Sequence, residues 1–494
     1  MISRPYKQGK DRLDPAALPQ RIEDFVGIDN PVRAIEAYVE TLNLAALGFD
    51  RIEPNRTSAG QPAFPPAALL MLYLYGYINR VRSSRVLARE CQRNLEVIWL
   101  MRGLCPSYKT IADFRQRNAG ALRQVHIQFI ALCRALNLLG GKRVAVDGSY
   151  FNGNVSDESF HSVKRLAEDI EKLGSRIDEW LNALDQADRD DLESPSRDPD
   201  LPAKLEKLKG LQALKESKED LLKSLTAAGV TQISETDSDA RLLNKRGQKT
   251  AGYNVQIVVD AKHKLIVADD VVQDGNDLKQ LHPMLSQAKA ALGVERLEGL
   301  ADAGYFSTAQ IAACEQDDIT VYVPEPKKSG RQRQAGRFVK DDFSYDPKTD
   351  TYGCPAGQVL HKSGEPRLQN GSLSQRYAGS ETHCRACPLK ASCITAKSSN
   401  RDIWRNQYET VLANHRQRMA DNPGLSRERS ALAEHPFGTL KCRAGWNHFL
   451  VRGLKKVRGE WSLMAFAYNF TRVLKLLGQQ IFRAYCAQNA VAYG

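Results

Sequence analysis

A chain of 494 residues, 42% hydrophobic and 26% charged, is long enough for several packed cores and too ordinary in balance for a disordered chain or a fibre. Its net charge of +12 favours polyanionic partners. The charge is segregated: residues 1–146 carry 21 Lys/Arg against 12 Asp/Glu, residues 401–494 carry 15 against 6, and the middle carries 34 against 40. Two basic arms around an acidic centre fit a nucleic-acid protein with a metal-binding heart. The longest apolar run, near residues 67–78, is broken by Tyr and Gly and falls short of the roughly 20 residues of a membrane span. The N-terminus is charged from Arg4 and has no apolar signal core. The expectation is a cytosolic protein, whose 10 cysteines are more readily thiols or metal ligands than disulfides.

In chain order, residues 1–140 read as a helical, DNA-binding domain. Pro65-Pro66 starts an apolar helix, and Arg80, Arg82, Arg85 and Arg89 recur near helical spacing. With only 3 Asp/Glu against 13 Lys/Arg between Arg80 and Arg143, this predicts a basic face for phosphate. Residues 141–325 read as the first part of an α/β core. The β-branched run KRVAVDGSY predicts a strand ending at Asp147. Within the core, residues 160–226 carry leucines and isoleucines at three- and four-residue spacing, which predicts a helical hairpin with an acidic, proline-bearing turn at residues 188–202. YNVQIVVD and KLIVADDVV predict a β-hairpin, and LEGLADAGY predicts a short strand ending near Asp302. Residues 326–405 read as a basic loop, 327–337, followed by a cysteine module. Residues 406–494 return to helix. The fold class is therefore α/β: an all-α N-terminal domain, then a mixed-sheet core with helical-hairpin and Cys-rich insertions.

Asp147 and Asp302 both end strands and are both followed by small residues. Ligands of α/β sheets bind at strand ends, and two carboxylates there suit Mg²⁺. A third carboxylate from a helix would complete a two-metal site for phosphoryl displacement. Cys354, Cys384, Cys387 and Cys393 form a C-x29-C-x2-C-x5-C pattern suited to a closed, structural Zn²⁺ site with four thiolates. The other six cysteines are scattered and read as buried thiols.

Three stretches, VAVDGSYFNGN at 144–154, LADAGYFS at 300–307 and AEHPFGTLK at 433–441, carry a resemblance. With supporting stretches at 83–103, 110–118 and 448–473, the chain resembles a DDE transposase of a bacterial insertion sequence, and within these insertion sequence family 1182. The resemblance implies a ribonuclease-H-like catalytic fold and Mg²⁺ (or Mn²⁺) held by Asp147, Asp302 and Glu434. It implies cleavage of double-stranded DNA at the terminal inverted repeats, then attack of the freed 3′-OH on target DNA. It maps Arg429 and Lys441 to the basic residues flanking the Glu, as DNA contacts, and pairing of two ends implies at least a homodimer. Two departures stand out. Ser426 occupies the position of the family's Tyr, and Pro436 disfavours helical geometry at His435. Glu434 therefore either precedes a helix start or lies at a kink.

Two other readings compete. A tyrosine recombinase could use His415 and Arg418 with Tyr468 or Tyr485 as nucleophile, and predicts a covalent protein–DNA adduct without metal. A zinc-stabilised DNA-binding regulator, a decayed transposase, predicts binding of end DNA without nicking.

Overall fold

The computed structural model describes residues 21–52, 62–193, 201–227, 229–245, 247–326, 333–369, 371–395 and 398–490. The chain forms two compact units, one from residues 1–129 with 458–494 and one from residues 130–457. No described helix is long and apolar enough to cross a membrane.

The described part of the first unit is helical. Its helices include Val32–Glu40, Pro66–Ile78, Ser84–Arg93, Leu95–Leu100, Tyr108–Arg117 and Gln479–Gln488. The helix Pro66–Ile78 starts with proline at its first position, where no backbone donor is lost. Residues 68–77 of it are buried all round, as expected of a helix without a polar face. An aromatic cluster of Tyr38, Phe129, Phe466, Phe470 and Phe482 packs at centroid distances of 4.9–6.4 Å, edge-on or tilted except for the stacked Phe466–Phe470 pair.

The same unit buries a charge. Glu460 is fully buried. Its Oε1 lies 3.6 Å from Arg82 and 3.8 Å from Arg115, and accepts a hydrogen bond from the Tyr77 hydroxyl at 3.0 Å. Removing one partner of such a group leaves the others charged and dry. Glu460→Ala should cost about 3–5 kcal/mol, measured as a fall in urea stability.

The second unit is built on a mixed sheet. Its strands are β1 (Arg143–Asn152), β2 (Phe160–Ser162), β3 (Gln232–Ser234), β4 (Arg241–Lys245), β5 (Gln248–Asp260), β6 (Ile266–Val272), β7 (Leu297–Leu300) and β8 (Ile319–Tyr322). The main sheet runs β6–β5–β1–β7–β8, with β4 also paired to β5. β1 is antiparallel to β5 and parallel to β7, and β7 is parallel to β8. Consecutive burial of Val144, Ala145 and Val146 reflects a central strand covered on both faces. One face packs Val144, Val146, Val258 and Ala268 against the helices Leu281–Leu292 and Thr308–Gln316. The other packs Ala145 and Leu300 against Leu432 and Ala433 of the helix Leu425–Phe437.

Two insertions interrupt this core. The small β2–β3 pair leads into and out of two helices, Val163–Glu193 and Leu201–Ala227. Helix persists through Asp188 to Glu193, past the expected start of the turn, because the first proline comes only at Pro195. The turn residues 194–200 lie outside the described residues. Lys218 pairs with Asp169 across the two helices at 2.8 Å. The second insertion is a small sheet around Phe343, Tyr352, Leu360, Tyr377 and Ile403. Residues 327–332 of the basic loop lie outside the described residues.

Candidate active site and cysteine module

β1 and β7 fix two carboxylates by register. The last parallel pair is Ala145 with Leu300. Asp147 lies two residues beyond it within β1, and Asp302 two residues beyond it in the turn that follows β7. β1 continues in partnership with β5 as far as Asn152, while β7 stops at Leu300, so among the described residues the other edge of β1 has no strand partner beside Asp147 until His448 bridges to Asn152. Asp302 caps a short helical turn, accepting from the Gly304 N–H at 2.8 Å.

The helix Leu425–Phe437 is docked through Leu432 and Ala433 on Ala145 and Leu300, the residues two before each aspartate. Arg143 reinforces this join, donating to Glu298 at 2.7 Å and to Glu428 at 2.9 Å. Arg429 points a guanidinium nitrogen at Asp147, 3.5 Å from its Oδ1. Glu434, next after Ala433, is exposed.

Pro436 neither starts nor breaks this helix. The helix runs on to Phe437 and passes into a π-helical turn, Gly438–Arg443. Proline removes one backbone donor, and the wider i→i+5 turn takes up the change. The two-turn α-helical count from Glu434 to Lys441 is therefore replaced by wider winding. Lys441 ends against β1: its Nζ donates to Ser149 Oγ at 2.7 Å and to the Tyr150 carbonyl at 2.5 Å, and lies 4.3 Å from the centre of the Phe151 ring.

Behind the aspartates lies a buried polar network that sequence reading missed. Asn254 and Gln256 of β5 and Tyr305 are fully buried. The Tyr305 hydroxyl donates to Gln256 Oε1. The amides of Asn254 and Gln256 both donate to Asp277 Oδ1, at 2.8 and 2.7 Å. Burial holds the Tyr305 hydroxyl protonated far above its usual range, and Asp277, Asp147 and Asp302 push in the same direction. A β-carbon on Gly148 would press on Gln256 Nε2 and lie 2.8 Å from Asp277 Oδ1, so any larger residue after Asp147 would have to displace this network. Nothing in the stretch DGNDLK marks Asp277 apart from other turn-forming aspartates.

Among the described residues, no three His, Cys, Asp or Glu side chains are gathered tightly enough to hold one ion. The carboxylates of Asp147 and Asp302 are nonetheless the hard oxygen donors that Mg²⁺ or Mn²⁺ takes.

Cys354, Cys384, Cys387 and Cys393 line one cavity together with Phe338, Leu360 and His383. All four are free thiols and partly exposed. The Gln358 N–H points at Cys354 Sγ at 3.3 Å, the kind of backbone donor that stabilises a thiolate. Burial pushes the Cys393 thiol up, with Cys384, Cys354 and Cys387 adding to the effect and Arg401 opposing it. Four thiols around one cavity suit Zn²⁺ by donor chemistry.

The arginines proposed from spacing divide. Arg80, Arg85 and Arg89 are exposed. Arg85 and Arg89 share a face of the helix Ser84–Arg93, whereas Arg80 precedes that helix and has a positive φ of 64°. Arg82 is withdrawn: its side chain is 9% exposed and paired with Glu460. The helix begins only at Ser84, so the expected stripe does not continue back through residue 82.

Of the recombinase residues, His415 and Tyr468 are built into cores, while Arg418 and Tyr485 are half-buried. His415 is buried, and its Nε2 accepts from the Val323 N–H at 3.3 Å. Arg418 is paired with Glu315 at 2.6 Å, and Tyr468 is buried. Burial depresses the His415 pKa to about 4, and Arg418 and Arg416 work in the same direction. The folded state thus binds fewer protons than the unfolded chain between about pH 4 and 6.5. Stability from this group is complete above pH 6.5 and is lost as pH falls toward 4, by on the order of 3 kcal/mol. Denaturant melts at pH 7 and pH 5 should show the loss, and His415→Gln should flatten it.

Residues 353–474 match the family of transposase DDE domains, and residues 20–117 match a transposase domain, DUF772. Both matches support a DDE transposase of an insertion sequence. The first contains Glu434, Lys441 and the four cysteines; Asp147 and Asp302 lie outside both. No curated protein matches. Among solved structures, the cryo-EM structure of piggyBac transposase in a synaptic complex with hairpin DNA aligns over 94% of this chain and 80% of that chain. Its TM-score is 0.31 at 9% identity, a likeness too slight to carry an argument.

Proposed function

We propose that this chain, matched to transposase families over two separate segments, is the active transposase of a bacterial insertion sequence of family 1182, with a ribonuclease-H-like core. Its substrates are the terminal inverted repeats of the element and a target duplex, engaged by at least a homodimer in the cytoplasm at the nucleoid. Asp147, Asp302 and Glu434 are the catalytic acids, and Mg²⁺ or Mn²⁺ held by them supplies charge neutralisation at the reacting phosphate and activation of the attacking oxygen. Zn²⁺ on Cys354, Cys384, Cys387 and Cys393 is structural.

The observation that carries this reading is the shared register. Asp147 and Asp302 stand equally far beyond one residue pair, and the Glu434 helix docks on that same pair. Arg429 tethers Asp147 from that helix, which keeps the carboxylate turned toward the Glu434 side of the sheet. Lys441, held against β1, brings an ammonium to the path of the DNA backbone. Arg80, Arg85 and Arg89 add phosphate contacts from the N-terminal helices.

The deciding experiment incubates the protein with duplex carrying the element's end. Strand nicking that needs Mg²⁺ or Mn²⁺, stops with chelator and leaves no protein attached to DNA supports the reading. Binding of the end without nicking supports the regulator instead. Lys441→Met keeps an apolar stem over Phe151 and removes the ammonium. It should slow nicking about 10²-fold, read from single-turnover rates, and lower stability by about 1–3 kcal/mol through the loss of the donor to Ser149 and Tyr150, read separately from denaturant unfolding.

A further inference from the structure

Asp277 approaches the acidic site from the loop between β6 and the helix Leu281–Leu292, a segment to which neither the resemblance nor the family matches assign a role. Its Oδ1 is fully committed to the amides of Asn254 and Gln256. Those amides have no freedom to turn. Gln256 Oε1 takes the Tyr305 hydroxyl, so its NH₂ must face Asp277 and Asn254 Oδ1, the latter at 3.0 Å. The Asn254 amide is tied further to the Asp274 carbonyl at 3.2 Å. The cradle is rigid and neutral, and burying three polar side chains to build it is costly unless each is satisfied.

The second oxygen is differently placed. Oδ2 lies 3.8 Å from the point a β-carbon on Gly304 would occupy, and Asp302 Oδ1 lies 2.9 Å from the same point. Two carboxylates thus face one small space that Gly304 keeps clear of a side chain. Asp147 has Arg429 beside it, but among the described residues no Lys, Arg or His forms an ion pair with Asp277 or Asp302.

We propose that Asp277 is a fourth carboxylate of the acidic site, sharing a divalent cation with Asp302, and that Asn254, Gln256 and Tyr305 are positioning residues that aim its free oxygen. The inference rests on the reading of Asp147, Asp302 and Glu434 as metal-holding acids. A purely structural Asp277, serving only as acceptor for buried amides, makes a different forecast. Its loss would lower stability and leave metal affinity alone.

The test is Mn²⁺ binding to the full-length protein by calorimetry without DNA, comparing wild type with Asp277→Asn, Asp302→Asn and Asp147→Asn. The expected result is Mn²⁺ affinity weakened about 10- to 100-fold in Asp277→Asn, with Asp302→Asn affected at least as much. Wild-type affinity in Asp277→Asn beside weakened Asp302→Asn overturns the proposal alone. Wild-type affinity in all three overturns the underlying reading of the acids. If Asp277→Asn does not fold, Fe²⁺-directed cleavage of the wild-type backbone replaces it. Cuts around residue 277 as well as around 302 are expected, and cuts around 147 and 302 that spare 274–279 overturn the proposal.

Discussion

Replacing Asp147, Asp302 or Glu434 with alanine should abolish metal-dependent nicking of end DNA, by at least about 10³-fold, while leaving end binding intact. The three variants should nonetheless differ in stability, because the side chains are held differently. Glu434 is exposed, so its loss should leave thermal unfolding unchanged. Asp302 caps the Gly304 N–H, and loss of a cap costs about 1 kcal/mol. Asp147→Ala strands Arg429, whose side chain is only 15% exposed, and should destabilise as well. Uniform loss of nicking over non-uniform loss of stability separates a shared chemical role from damage to the fold. Any one of these variants nicking at the wild-type rate in Mg²⁺ removes that acid from the assignment.

The second large effect concerns zinc. Among the described residues, the hydrophobic cluster of the cysteine module is small, joining Phe343, Tyr352, Leu360, Tyr377 and Ile403. So small a core does not stabilise a module of this size unaided. Protein purified without chelator should contain about one zinc per chain by elemental analysis, and Cys384→Ser or Cys387→Ser should lose it. Structural zinc contributes on the order of 10 kcal/mol of folding free energy in small domains. Its removal should therefore open the module to protease between residues 338 and 406 while the β1–β8 sheet stays protected. Zinc-free protein with an unchanged cleavage pattern would sink the structural-zinc reading.

The parts of this architecture that are local could be read before folding. KRVAVDGSY, with its alternating β-branched residues, is strand β1, and the leucine spacing of residues 160–226 is the helical pair. What could not be read depends on partners far away in sequence. YNVQIVVD looks like an ordinary strand, yet Asn254 and Gln256 are fully buried because Tyr305 and Asp277 satisfy them. Arg82 belongs by spacing to a basic stripe, but Glu460, far along the chain, draws it inward. RLLNK is too short and charged to announce β4, which forms by pairing with β5. Pro436 looks like a helix boundary, since local rules do not foresee a π turn absorbing it. Within the site, Asp302 was visible as the acid after a strand end followed by small residues; Asp147 was found by the same pattern, but the strand does not end there, since β1 runs on to Asn152 in partnership with β5. Asp277 was not, because its distinction is the amide cradle and not its neighbours in sequence.

The wide spacing of the acids has a consequence for synthesis. Asp147 and Asp302 sit in the first part of the core, while Glu434 and Lys441 follow the entire cysteine module. At about 5–20 residues per second, a ribosome takes on the order of ten seconds to travel from residue 302 to residue 441. During that interval β1, β5 and β7 can already pair, yet the two aspartates lack their third acid and the lysine beside β1. A chain stopped in that interval would also lack residues 458–494, which complete the first unit, so on the proposed reading both the grip on DNA and the cut wait for the last part of the chain.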